Sequence, residues 1–262
     1  MALWARFEQD GVERFGRLEA DGQTILVHEG DMFGSPTPTS ESVSLGAVRL
    51  LTPTCASQFI GLWNNFRELA TKLKQAIPEE PLYFIKAPGS ALASGGVIRK
   101  PASYEGRVVF EGELGIVVGR RLSDVDEEQA AAGIFGYTCV NDVTAIDLLN
   151  KDPSFPQWTR AKSCDSFGPF GPVVATGLPW ASLSIRTLVN GRERQNYPAA
   201  DMILSPERVV SLISRELTLL PGDVIACGTS VGVLPMRPGT TVEVVIAGIG
   251  TLSNTFEAEP PR

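Results

Sequence analysis

The chain has 262 residues, 43% of them hydrophobic and 20% charged, enough for one large core with or without a small appendage. Its formal net charge is −7, and with no basic run it is a poor partner for nucleic acid or an anionic membrane. No apolar stretch approaches the ~20 residues of a membrane span, and the opening Met1-Ala2-Leu3-Trp4-Ala5-Arg6 carries no signal-peptide pattern.

Cys55, Cys139, Cys164 and Cys227 lie far apart and form no Cys-x-x-Cys pair. They read as reduced thiols, mostly in the core, of a cytoplasmic protein. His28 is the only histidine, which excludes a multi-histidine metal site.

The first 47 residues read as small β-hairpins and the remainder, 48–262, as the main domain. Trp4 to Glu8, Val12 to Leu18 and Thr24 to His28 are strand-like, with turns at Asp10-Gly11 and Asp21-Gly22. His28 at a strand end reads as structural or solvated. Gly34 to Ser40 is a Pro-rich connector. Short strands follow at Val48 to Leu51 and Gln58 to Leu62. Phe66, Leu69, Ala70 and Leu73 recur at helical spacing, predicting a helix within 64–75 that Pro78 and Pro81 end. Leu82 to Ile85 is a strand, and the Gly-rich Ala91 to Pro101 reads as irregular backbone.

Arg107 to Gly119 reads as one strand of branched and aromatic residues. Glu111 and Glu113 then point the same way, roughly 6.6 Å apart at Cα. Both faces of this strand carry apolar residues, so two ionised carboxylates there are costly unless a cation or several donors meet them. Two readings stay open on this pair alone: a strand more exposed than its composition suggests, or a metal site.

Further on, Ser123 is placed to cap a helix running to Ala132, with Gly133 at its end. Ile134 to Asn141 is strand-like, Thr144 to Asn150 a short helical turn, and Phe155 to Pro172 a loop. Asn190-Gly191 signals a hairpin between Ser184 to Val189 and Arg194 to Tyr197. Ser205-Pro206-Glu207 starts a helix with Val209, Leu212, Ile213 and Leu217 as its buried stripe. Strands at Val224 to Cys227, Thr241 to Ile246 and Thr251 to Phe256 close the chain.

Five segments in order resemble the fumarylacetoacetate hydrolase family. They are Phe84-Ile85-Lys86, Phe110-Glu111-Gly112-Glu113-Leu114, Gly136 to Ala145 with Asn141-Asp142, Arg160-Ala161-Lys162-Ser163-Cys164-Asp165, and Gly228-Thr229-Ser230-Val231-Gly232. The resemblance covers most of 50–255. It implies an α+β, predominantly β fold, a mixed β-sandwich roll, and a homodimer. It also implies a divalent metal on Glu111, Glu113 and Asp142. An all-carboxylate set with no histidine or paired cysteines suits Mg²⁺ or Mn²⁺, with Ca²⁺ possible, rather than zinc. Three negative charges against one divalent ion leave one negative charge, which Lys162 would balance. Thr229 and Gly228 match the family's substrate-carboxylate loop. Asp147 and Asp165 read as hydrogen-bonding partners of loops.

The family turns over 2-oxo acids through an enolate that the metal stabilises, and that one intermediate serves decarboxylation, tautomerisation, hydration or C–C cleavage. Its hydrolases activate water with a histidine paired to a glutamate on a mobile segment. Here the matching Gly61-Leu62-Trp63-Asn64-Asn65-Phe66-Arg67-Glu68-Leu69 has no histidine, which demotes hydrolysis. Glu68 is the remaining candidate base. Ile146 stands where members often place an arginine. The expectation is a decarboxylase or isomerase of an unsaturated 2-oxo acid, with a second carboxylate on the substrate and aromatic-compound catabolism as the setting. A hydrolase or hydratase of the same family, or a catalytically silent keto-acid binder, are the alternatives.

Overall fold

The computed structural model describes residues 1–258. The N-terminal strands are β1 (Ala2–Gln9), β2 (Val12–Leu18), β3 (Thr24–Glu29), β4 (Thr37–Ser44) and β5 (Arg49–Leu50). Then come β6 (Phe59–Trp63), α1 (Arg67–Leu73), β7 (Leu82–Lys86), β8 (Ala91–Leu92) and β9 (Val97–Lys100). The middle of the chain forms β10 (Val108–Val109), β11 (Gly112–Val118), α2 (Glu127–Ala131), β12 (Ile134–Asn141) and β13 (Thr144–Ala145). It continues through α3 (Ile146–Leu149), α4 (Trp158–Lys162), β14 (Gly168–Thr176), β15 (Ser184–Val189) and β16 (Arg192–Pro198). The last elements are α5 (Pro206–Ser214), β17 (Val224–Ala226), β18 (Thr240–Ile246) and β19 (Gly250–Ala258).

The architecture is α+β and predominantly β. A large mixed sheet runs β4-β3-β2-β1-β14-β12-β11-β17-β6-β7, with β5 paired to β1 and β8 to β14. A second sheet, β16-β15-β18-β19-β9, packs against it, and β10 pairs with β13 alone. The N-terminal hairpins continue the large sheet through β1, whose Ala2 lies opposite Thr176 of β14. The main core lies between the sheets, where Leu114 and Ile116 of β11 and Ile225 of β17 join Ile185, Val244 and Leu252 of the second sheet. Helix α5, capped by Ser205, packs Val209, Val210 and Ile213 into the same core.

Several local expectations give way to tertiary pairing. The Pro-rich connector becomes in part β4, with Pro38 opposite His28. As the outermost strand, β4 accepts a residue that has no N–H to offer a neighbour. The stretch expected to be irregular supplies β8 and β9, each held in parallel to a strand far along the chain, β14 and β19. The loop expected over Phe155 to Pro172 contains α4 and the start of β14. Helix α1 ends at Lys74 in a left-handed conformation (φ 55°), well before Pro78. Asp126, not Ser123, caps α2, because Asp126 and Gln129 bond reciprocally to each other's backbone.

The strand expected over Arg107 to Gly119 is broken. Glu111 lies between β10 and β11. Its carbonyl accepts from Asp142 N–H at 2.8 Å and its N–H donates to Asn141 Oδ1 at 3.1 Å. A side chain and a neighbouring turn thus take the bonds that a continuous ladder would use. Glu113, in the fully buried β11, is wholly buried and the Glu111 side chain before it is 14% exposed, so the reading of this pair as solvent-exposed does not hold.

Candidate active site

Strand β11 sits between β12 and β17, antiparallel to both. Gly112 faces Asn141, so Asp142 leaves the end of β12 beside the start of β11. One carboxylate oxygen from each of Glu111, Glu113 and Asp142 lies within 4.8 Å of the others. Glu113 and Asp142 are wholly buried, and the Glu111 side chain is 14% exposed. Glu113 Oε2 accepts from Gly228 N–H at 2.8 Å. Its other oxygen has no hydrogen-bond partner among the described residues.

Two lysines meet the acids. Lys162, the last residue of α4, places Nζ 2.7 Å from Glu111 Oε2 and 2.5 Å from Asp142 Oδ2. Lys86, at the end of β7, places Nζ 2.6 Å from Asp142 Oδ1 and donates to the Lys162 carbonyl at 2.5 Å. Asp142 therefore has an ammonium on each oxygen. Lys86 belongs to a segment that carries the family resemblance, but nothing in its neighbours along the chain assigns it a role. In β7 Phe84 and Lys86 are buried while Ile85 is exposed, and a buried lysine beside an exposed isoleucine is an inversion that the local sequence does not record.

Burial and charge set the protonation states. Burial, reinforced by the Asp142 and Glu111 charges, pushes the Glu113 carboxyl well above its ordinary range. Burial also raises Glu111, against the pull of Lys162. Asp142 is held low: burial opposes ionisation, but the Lys162 and Lys86 charges outweigh it. Burial acts to lower Lys162, and the facing Asp142 and Glu111 charges overcome it and raise its pKa. Lys86 is lowered by burial despite Asp142.

The donor set fits a divalent ion. Three hard carboxylates converge, and one buried oxygen is unpartnered in an otherwise satisfied cluster. Gly228 has φ +91°, which allows the turn after β17 that aims its N–H at Glu113. Gly112 permits a close approach: a Cβ there would lie 2.0 Å from Thr187 Oγ1. Thr229 is half-buried in the same loop, and its hydroxyl donates to the Gly112 carbonyl at 3.1 Å.

Aromatic rings wall the lysine side. Lys162 Nζ lies 4.9 Å from the centroid of Phe84, over its ring. Trp158, one turn earlier on α4, stacks on Phe84 at 5.3 Å and meets Trp63 at 5.5 Å. A cleft of about 370 Å³ lies here, lined by Trp63, Pro81, Leu82, Tyr83, Phe84 and Trp158.

Other sequence candidates lie elsewhere. His28 is buried, with its ring edge-on to Trp4 at 5.0 Å and Nδ1 2.9 Å from the Leu26 carbonyl. Glu68 is exposed on α1, where its backbone N–H donates to Asp201. Asp147 accepts from Arg107 N–H at 2.7 Å and pairs with its guanidinium at 2.6 Å, a loop-holding role as expected. Asp165 is exposed, and its carbonyl, rather than its carboxylate, accepts from Ser166 Oγ. Ile146 packs against the apolar cluster around Val143 and Leu148. All four cysteines are free thiols, two buried, one half-buried and Cys55 exposed. No helix among the described residues is long and apolar enough to cross a membrane.

Fold and site together define a class: a mixed β-roll holding a buried acidic triad faced by two lysines. The chain belongs to the fumarylacetoacetate hydrolase family, since the family profile "Fumarylacetoacetate (FAA) hydrolase C-terminal" matches residues 58–257. A second profile, "Rv2993c-like, N-terminal", matches residues 3–53. The crystal structure of 2-hydroxyhepta-2,4-diene-1,7-dioate isomerase from Mycobacterium marinum superposes with a TM-score of 0.90 at 37% identity, covering 99% of each chain. Oxaloacetate tautomerase YisK of Bacillus subtilis is 34% identical over 80% of this chain and 74% of its own length. The 4-hydroxyphenylacetate degradation bifunctional isomerase/decarboxylase of Salmonella dublin is 36% identical over 74% of this chain and 46% of that protein.

Proposed function

We propose that the chain is a divalent-metal-dependent isomerase or decarboxylase of an unsaturated 2-oxo acid, such as a dicarboxylate from aromatic-compound catabolism. The observation that carries this reading is the convergence of Glu111, Glu113 and Asp142 beside Lys162 and Lys86. Those three carboxylates would hold Mg²⁺ or Mn²⁺, with Ca²⁺ as a larger substitute. When bound, the ion supplies Lewis-acid polarisation of the substrate's keto oxygen.

The protein's own groups account for the rest. With every group ionised, three carboxylates and two ammoniums carry one net negative charge, and a divalent ion turns that into one net positive charge. Such a site favours a monoanionic carboxylate head group. Lys162 is charged, buried and within reach of Glu111, placing a fixed positive charge and hydrogen-bond donor at the edge of the acidic triad, where it would bind the developing enolate oxygen. Thr229 and the N–H groups after Gly228 would orient the substrate carboxylate. The relatives named for isomerase and isomerase/decarboxylase activity support this class of reaction.

Hydrolysis is the second reading. His28 lies in an aromatic nest of the N-terminal hairpins, away from the triad, and Glu68 would have to bring α1 over the site to act as base. The deciding experiment is a panel of unsaturated 2-oxo mono- and dicarboxylates with Mg²⁺, Mn²⁺ or EDTA, products read by NMR. Metal-dependent CO₂ release or keto–enol conversion supports the proposal. Two carboxylic products with solvent ¹⁸O support the hydrolase, and oxalate binding without turnover supports a silent binder. We also read the protein as a cytoplasmic homodimer, for which light scattering and cell fractionation are the tests.

A further inference from the structure

Gln195 of β16 is only 1% exposed, and every hydrogen-bonding group of its amide is used. Oε1 accepts from Gly112 N–H at 3.0 Å and from Thr187 Oγ1 at 2.9 Å. Nε2 donates to Thr229 Oγ1 at 2.8 Å and to the Ser230 carbonyl at 3.1 Å. The amide has one workable orientation. Gly112 N–H can only donate and the Ser230 carbonyl can only accept, so a flip would set donor against donor and acceptor against acceptor.

We propose that Gln195 is a positioning residue that aims the Thr229 hydroxyl at the substrate carboxylate. This rests on the reading of Thr229 as a carboxylate contact. A threonine hydroxyl has one proton and two lone pairs. Gln195 N–H occupies one lone pair, so the proton must point away from Gln195. In this structure it points to the Gly112 carbonyl. That carbonyl has a second donor, the buried Tyr197 hydroxyl. Thr229 can therefore turn its proton to a ligand without leaving a buried carbonyl unsatisfied.

The same amide joins the two halves of the site. Gly112 lies between Glu111 and Glu113, while Thr229 and Ser230 follow the Gly228 N–H that holds Glu113. Glutamine suits the task chemically. Glutamate keeps the acceptor but offers no donor to Thr229 and adds a buried charge, and methionine fills the space with neither group.

Calorimetry separates this role from simple support of the fold. Mn²⁺ is titrated first, then oxalate into Mn²⁺-loaded protein, for wild type, Gln195→Met, Thr229→Val, Thr229→Ser and the Gln195→Met/Thr229→Val double variant. Gln195→Met is expected to change Mn²⁺ affinity by less than about threefold and weaken oxalate about tenfold, the worth of one well-placed hydrogen bond. Thr229→Val should match that oxalate loss and Thr229→Ser should restore binding. The double variant should be no worse than the weaker single variant, because both remove one interaction. If Gln195→Met does not fold, Gln195→Asn, a neutral amide one methylene too short to hold both Gly112 and Thr229, should show the same selective oxalate loss. Additive losses, or equal losses of Mn²⁺ and oxalate, assign Gln195 a structural role and overturn the proposal. Wild-type protein that fails to bind Mn²⁺ overturns the metal reading itself, and this proposal with it.

Discussion

Two buried carboxylates of this protein sit near opposite ends of β17 and live in opposite circumstances. Asp223, just before β17, is wholly buried. Its Oδ1 accepts from Ser57 N–H, Ser57 Oγ and Gln58 N–H, and its Oδ2 from Gln58 Nε2 and Leu220 N–H. Glu113, reached from the other end through Gly228, has one N–H on one oxygen and no partner on the other among the described residues. Burial alone therefore does not mark a functional acid. Asp223 stitches the loop before β6 to the start of β17, and its donors already satisfy its charge. Glu113 is under-satisfied, and it stands among other acids. A buried carboxylate in that condition is one whose ionised form a cation would favour.

The sharpest way to break this comparison is Glu113→Gln. It should lower Mn²⁺ affinity more than about 100-fold, the loss of one charged ligand from three. Excess Mg²⁺ should then raise the melting temperature of the native chain only. A variant that still gains stability from metal removes Glu113 from the ligand set. Lys162→Ala should cut turnover of an enolisable 2-oxo acid by about 100-fold while leaving metal affinity nearly intact. Unfolding of that variant would instead show the lysine to be structural.

Asp223→Ala should behave in the opposite sense. Unsatisfied donors on two segments, Ser57-Gln58 and Leu220, should cost about 3 kcal/mol or more by denaturant titration. The affinity for Mn²⁺, measured well below the unfolding midpoint, should be unchanged.

Acidity sharpens the contrast further. Burial holds the folded Glu113 pKa above its unfolded value, so its contribution to metal-free stability is full below the unfolded pKa. That contribution is lost as pH rises through the folded pKa. Metal binding needs the ionised form and should release protons, so Mn²⁺ affinity should climb through the same window. Calorimetry in two buffers of different ionisation enthalpy reads the released protons directly. The smallest effect is expected at His28. His28→Phe should leave turnover unchanged and alter stability by about 1 kcal/mol or less, since the ring packs against Trp4.

Much of this was legible in the residues. Strand periodicity placed β1 to β3, β12, β15 and β18 close to where they form. The spacing of Glu111 and Glu113 put two acids on one side, and the ordered segments placed Asp142, Lys162 and Thr229 beside them. The features that local pattern does not carry have a common cause. Strands β8 and β9 are short, weakly patterned pieces that exist because β14 and β19 offer them edges. The break at Glu111 depends on Asn141 and Asp142.

By itself the sequence determined most strand positions and the spacing of Glu111 and Glu113, because those are written in neighbours two to four positions apart, while Asp142, Lys162 and Thr229 were picked out by ordered segments that resemble the family. Only the tertiary structure decided that Lys86 meets Asp142, that Gln195 ties Gly112 to Thr229, and that Asp223 is fully satisfied while Glu113 is not. Those facts join residues far apart along the chain. Hydrogen-bond partnership at that range is set by how the sheets pack, and no local pattern records it.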